Sequence, residues 1–170
     1  MAVNAMPIVA GDVLTAHGYN LGQPLYAWKT VAESVTSSAV DQLDDELFLP
    51  VEPFSIYLIT TCLSVSGPTA AKLRFGYTVP TGSQGRRHNF GPAATVTTTA
   101  DRFRVSVHAW TTAVSYGTVT GTPVSIIEEC VLYTESTGGV VQANWAQNFS
   151  DASPVTLEAR SFMVARQVIG

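Results

Sequence analysis

Gly and Pro interrupt this chain at short intervals: Gly67-Pro68, Pro80, Gly82, Gly85, Gly91-Pro92, Gly117, Gly121, Pro123, Gly138-Gly139 and Pro154. The runs between them are rich in Val, Ile, Thr, Phe and Tyr. Gly and Pro punctuate regular structure, whereas β-branched and aromatic side chains suit a pleated, half-buried surface. The pattern predicts an antiparallel all-β domain without a long helix. Asp12 would cap at most one helical turn over "DVLTAHGYN", ended by Gly18.

Period-two alternation locates the strands. In residues 72–79, Leu73, Phe75, Tyr77 and Val79 alternate with Lys72, Arg74, Gly76 and Thr78. One face meets the core and the other meets water or a polar partner. Residues 102–109 are expected to behave the same way, with Phe103, Val105, Val107 and Ala109 facing together. In 140–148, Val141, Ala143 and Trp145 share a face. Strands are expected near 26–31, 46–51, 54–65, 72–79, 102–109, 123–135, 140–148 and 161–168. Such strands with long connections suggest a β-sandwich over residues 25–170, a jelly roll or related Greek key. Residues 81–100 read as a long loop at one end of it.

Two strands break the one-face rule. In 54–65, Phe54, Ile56, Leu58 and Cys62 line one face, and Tyr57, Ile59, Leu63 and Val65 line the other. In 161–169, Phe162, Val164 and Val168 alternate with Met163, Ala165 and Ile169. A sandwich strand buries only one face in its own core, so the second needs a cover. With no helix available, that cover is a subunit interface, expected at Tyr57, Ile59, Leu63, Met163 and Ile169, or else a packed loop.

Charged residues make up 13% of the 170, against about 25% in ordinary soluble domains. So little charge also points to a surface covered by partner subunits. A net charge of −4 argues against electrostatic nucleic-acid binding. No apolar run approaches the roughly 20 residues needed to cross a membrane. No Lys or Arg precedes Lys29, so the start lacks a secretory signal's positive region and cytoplasmic folding is expected. Cys62 and Cys130 both lie in apolar runs and read as buried free thiols, with a bridge between them the alternative. Residues 1–24 are apolar but aperiodic, with Met6, Ile8, Val9, Val13 and Leu14 among Pro7, Gly11 and Gly22. They read as an arm held along the domain or inserted into another protein.

The candidates for chemistry are weak. Asp44, Asp45 and Glu46 are adjacent, without the spacing or Gly of a calcium loop, and are expected in a solvated turn before a strand. His17, His88 and His108 are scattered and form no zinc pair. No nucleophile elbow or phosphate-cradling loop occurs. No catalytic residue, metal or cofactor is therefore expected. Arg86, Arg87 and His88, within "GRRHNF", form the basic cluster of a possible surface contact loop.

The phrases "LYAWKTVAESVTSS", "DDELFLPVE", "GPTAAKLRFGYTVPTG" and "WAQNFSDASPVTLEARSFMVARQVIG" resemble small virion proteins of tailed bacteriophages of actinobacterial hosts, described as minor tail or head decoration proteins. The resemblance covers roughly residues 10–170. It implies a jelly-roll, tumour-necrosis-factor-like sandwich that assembles as a homotrimer on the virion surface, without catalytic residues. It implies the major capsid protein as partner, with neither nucleic acid nor membrane. Gly11, Leu14, Thr15, Ala16 and Asn20 match a phrase common in the family's N-terminal segments. By analogy that arm docks onto the particle, with Pro7, Ile8, Val9, Val13 and Leu14 as anchoring residues. The alternative is a minor tail or fibre protein binding host glycans, with Trp28, Trp110 or Tyr116 as stacking candidates. A monomeric carbohydrate-binding module is a third reading.

Overall fold

Twelve strands form in the computed structural model, which describes residues 23–94 and 103–169. They are β1 (Leu25–Trp28), β2 (Glu33–Val35), β3 (Gln42–Val51), β4 (Ile56–Ser66), β5 (Leu73–Thr78) and β6 (Gln84–Pro92). They continue with β7 (Phe103–His108), β8 (Val114–Tyr116), β9 (Val124–Tyr133), β10 (Gly139–Gln147), β11 (Val155–Leu157) and β12 (Phe162–Ile169). The anchoring residues Pro7, Ile8, Val9, Val13 and Leu14 lie outside the described residues.

Two antiparallel sheets make a sandwich. One runs β1-β12-β4-β9-β6-β7, with β2 and β11 at its margin; the other runs β3-β10-β5-β8. Four pairings are nested: β1 with β12, β3 with β10, β4 with β9 and β5 with β8. First thus pairs with last and each inner strand with its mirror, the order of one long ribbon rolled into a jelly roll. The β6–β7 hairpin is inserted between β5 and β8 and extends the larger sheet beyond β9.

The core fills the space between the sheets. Leu47, Leu49, Leu73, Phe75, Val141 and Trp145 from the smaller sheet face Tyr57, Ile59, Leu63, Ile126, Leu132 and Met163 from the larger. All of these are buried. Tyr57, Ile59, Leu63 and Met163 therefore belong to the chain's own core, which corrects their expected place at a subunit interface. The side chain of Ile169 lies outside the described set. The opposite flank of the same strands points outward: Leu58 is 49% and Val168 50% exposed. Strand β7 is likewise reversed from expectation, because Phe103, Val105 and Val107 are exposed while Arg104, Ser106 and His108 are half-buried.

Strand β6 replaces much of the expected loop. Its inward positions are Gly85, Arg87, Asn89 and Gly91, so no apolar alternation marks it. Gly91 lets β6 approach the ring of Tyr116, 2.8 Å from where a Cβ would sit. Gly85 has φ +133°, and a Cβ there would lie 1.9 Å from the Val131 carbonyl oxygen and 2.9 Å from Trp110 Nε1. Trp110 Nε1 donates to that same carbonyl at 3.0 Å. Gly85→Ala is expected to lose about 2–4 kcal/mol in urea unfolding. Gly121→Ala, at φ +68° with open space around it, is expected to lose only about 1 kcal/mol.

Candidate functional site

Three regions gather polar or exposed groups: an acid–lysine cluster at the β3 bulge, a buried ion pair under β6, and the outer face of the larger sheet.

The acidic trio lies within β3. Opposite β10, Phe48 pairs with Gln142 and Leu43 with Asn144, so residues 44–47 bulge out against Ala143. The bulge turns Asp44 inward to full burial, which corrects the expected solvated turn. Lys29 Nζ donates to Asp44 Oδ2 and to Glu33 Oε2, each at 2.9 Å. Trp145 Nε1 donates to Asp44 Oδ2 at 3.2 Å. The backbone N–H groups of Glu46 and Leu47 donate to Asp44 Oδ1 at 3.0 and 2.8 Å. Glu33, Asp44 and Asp45 place carboxylate oxygens within 4.8 Å of one another, a spacing that suits a cation. The Lys29 ammonium already supplies that charge, as a compact cation with three donors. Burial alone pushes Lys29 down, but Glu33 and Asp44 more than offset it and hold the ammonium above its ordinary value. Glu46 caps the neighbouring turn: the Thr30 hydroxyl and backbone N–H both donate to it and hold its carboxyl low.

Arg87, expected on a contact loop, is wholly buried, whereas Arg86 and His88 beside it are exposed. Its Nε and Nη2 donate to the two Glu128 oxygens at 2.9 and 2.8 Å, and Nη1 donates to the Thr112 carbonyl at 2.6 Å. The guanidinium lies 4.7 Å from the Tyr77 ring centre, and the Tyr116 hydroxyl donates to Glu128 at 2.6 Å. Bidentate geometry of this kind is what lets an ion pair persist in a core. Burial, reinforced by Glu128, raises the phenols of Tyr77 and Tyr116 and the thiol of Cys130.

Nearby, the Ser106 hydroxyl lies 2.8 Å from His108 Nε2 and donates to Asn89 Oδ1 at 2.7 Å. Among the described residues no carboxylate hydrogen-bonds the His108 ring. Burial, Arg104 and Arg87 hold His108 below its ordinary value. Of the stacking candidates, Trp110 and Tyr116 are core residues, while Trp28 is 61% exposed on β1. Cys62 and Cys130 are free; on adjacent strands they face opposite sides of the sheet, and Cys62 is half-buried on the outer one.

An apolar band crosses that outer face. Lateral pairing aligns Trp28, Phe162, Cys62, Ile127, Phe90 and Val105 in one row across all six strands. Tyr26 and Val164 begin the next row and Val107 ends it, with Leu58, Val131, Ile56 and Tyr133 beyond. The outer face of the smaller sheet is mixed, with Arg74, Thr78, Ser115, Gln142 and Asn144 beside exposed Leu43, Phe48 and Val140. At one end of the apolar face, Gln84, Gly85, Arg86, Tyr133 and Glu135 line a shallow cleft of about 420 Å³.

No family model and no curated protein matches this chain. Among solved structures, the chain is similar to one in the structure of infectious bursal disease virus Gx strain, at 12% identity and TM-score 0.22. That match covers 85% of this chain and 38% of the other. For the Gt strain of the same virus the identity is 9%, the TM-score 0.24 and the coverage 85% and 41%. The chain thus spans less than half the length of either.

Two results are expected here. Arg87→Met should lose about 3–5 kcal/mol in urea unfolding, because it strands the Glu128 charge, and adding Glu128→Leu should recover at least half of that. Raised folded-state values on Lys29, Tyr116 and Cys130 mean that the folded chain holds those protons more tightly than the unfolded one. That stabilisation is complete below the unfolded values and fades as pH rises through the folded ones. The unfolding midpoint should therefore fall as pH climbs past the ordinary values of 9.0 for the thiol, 10.0 for the phenol and 10.5 for the ammonium.

Proposed function

We propose that this chain is a virion structural protein of a tailed bacteriophage: a homotrimer that binds the outer shell through the major capsid protein and stabilises it. The observation that carries this reading is a jelly-roll sandwich with an uncharged apolar row running across one outer face, a surface suited to association. The resemblance of "DDELFLPVE" and the C-terminal phrases to virion proteins of actinobacterial phages supports the same reading. The proposal carries no catalytic step, cofactor, nucleic acid or membrane. The mechanism is mass action, because a protein that binds only the assembled shell stabilises that shell, by about 2.7 kcal/mol per site at a hundredfold excess over Kd. Residues 1–24 are proposed as the docking arm, and the virion surface, reached after folding in the host cytoplasm, as the location.

A second reading, a minor tail or fibre protein that binds host glycans, is favoured by one observation. The cleft beside Tyr133 offers a 45% exposed aromatic ring flanked by Gln84, Arg86 and Glu135. Such a pairing of a flat apolar ring with planar polar groups suits a sugar.

Quantifying copies per purified particle separates the two. Head decoration should give many copies in fixed ratio to the major capsid protein, whereas a few copies confined to the tail would favour the glycan reading. Removing residues 1–20 should leave a folded homotrimer that no longer binds particles, and normal decoration by the shortened chain would refute the arm's role.

A further inference from the structure

We infer that the outer face of the β1-β12-β4-β9-β6-β7 sheet is the self-association surface, buried against sister copies of this chain. The inference deepens the virion reading by naming the surface through which copies meet. The row from Trp28 to Val105 crosses the whole sheet without a charged residue. Its ends are open, with Trp28 61% and Val105 67% exposed, and Ile127 at its centre is 41% exposed.

Size points to an interface between proteins. Six strands at about 4.8 Å spacing span about 24 Å, and four rows of alternate residues span about 20 Å along the strands. The projected area is about 500 Å², and side-chain relief brings the accessible area toward the roughly 800 Å² per partner of a stable association.

Charge points to a second copy as the occupant. The rows beside the apolar one carry both signs: Glu129 sits between Thr60 and His88, Arg166 beside Leu58, and Arg86 beside Val131. Among the described residues, Glu129, Arg86 and Arg166 form no ion pair within the chain. An apolar band flanked by unpaired charges of both signs offers each copy opposite charges on the next. A partner of one charge would leave part of the set unmatched.

The test is analytical ultracentrifugation of the full chain at micromolar concentration, on wild type and on Leu58→Glu, Ile127→Glu and Val105→Lys. Each substitution is at a solvent-facing site, and far-UV circular dichroism and urea unfolding check that each variant folds. Phe48→Glu, at a 46% exposed position on the opposite sheet, is the control. Wild type and control should sediment as one homo-oligomer, and each face variant should weaken association by about 100-fold or more. A monomeric wild type overturns the inference, whether the face is bare or covered by the chain's own residues 1–22. An oligomer that survives all three face substitutions, or is lost in the control alone, overturns it too. A monomer that still decorates particles in fixed ratio would refute this surface and leave the virion assignment standing. An oligomer that ignores particles would do the reverse.

Discussion

A two-layer sandwich has one interior, and each sheet can give it only one face. In this chain the smaller sheet partly obeys the usual consequence, with its core residues in and Gln142, Asn144, Arg74 and Thr78 out, beside exposed Leu43, Phe48 and Val140. The larger sheet does not. Its inner face holds Tyr57, Ile59, Leu63, Ile126 and Met163, yet an apolar row from Trp28 to Val105 crosses its outer face as well. The inserted β6–β7 hairpin carries the imbalance further. It extends the main run of the larger sheet to six strands against four, so the inward side of the hairpin has less of the opposite sheet to pack against. That side is lined by Arg87, Asn89, Arg104, Ser106 and His108, while Val105 and Val107 point away.

The two buried ionic clusters follow from the same geometry. The Arg87–Glu128 pair, roofed by Tyr77 and Tyr116, fills the place where the hairpin meets the sandwich. Lys29 and Asp44 tie β1, at the edge of one sheet, to the bulge of β3, at the edge of the other. Replacing such pairs by fitted apolar groups is often neutral or stabilising, so their contribution lies in position more than in net stability. Lys29 makes its bond to Asp44 only when β1 and the β3 bulge are in register. Arg87 makes its two bonds to Glu128 only when β6 lies beside β9.

The sequence made the fold class and the main strands legible, because long β-branched runs cut by Gly and Pro admit few alternatives. It also revealed that β4 is greasy on both flanks. It did not reveal which flank is the core, since Ile56, Leu58 and Cys62 compete with Tyr57, Ile59 and Leu63 on nearly equal terms. The polar residues between them held a clue. Thr60 and Ser64 share the outward flank, whereas the inward flank has only Thr61, whose hydroxyl accepts from Tyr77 at 2.7 Å. Strand β6 was hidden because its inward positions are Gly, Arg, Asn and Gly, and β2, β8 and β11 span only three residues each. The acidic trio misled for a related reason: a bulge suspends strict alternation, and the partner cation, Lys29, lies 15 residues away in sequence.

What unites fold and proposed role is the outward apolar row of the larger sheet. Cys62 reports on it directly, because it sits midway along the apolar row between Phe162 and Ile127. The most direct measurement is the rate at which a small maleimide alkylates Cys62 in the native full chain, relative to a Cys62 peptide and to the Leu58→Glu variant; Cys130, buried on the other face, serves as the internal unreactive thiol. Copies shielding one another predict slow labelling that quickens on dilution and in the variant. Fast labelling of the wild type, independent of concentration and equal to that of the variant, would contradict the account.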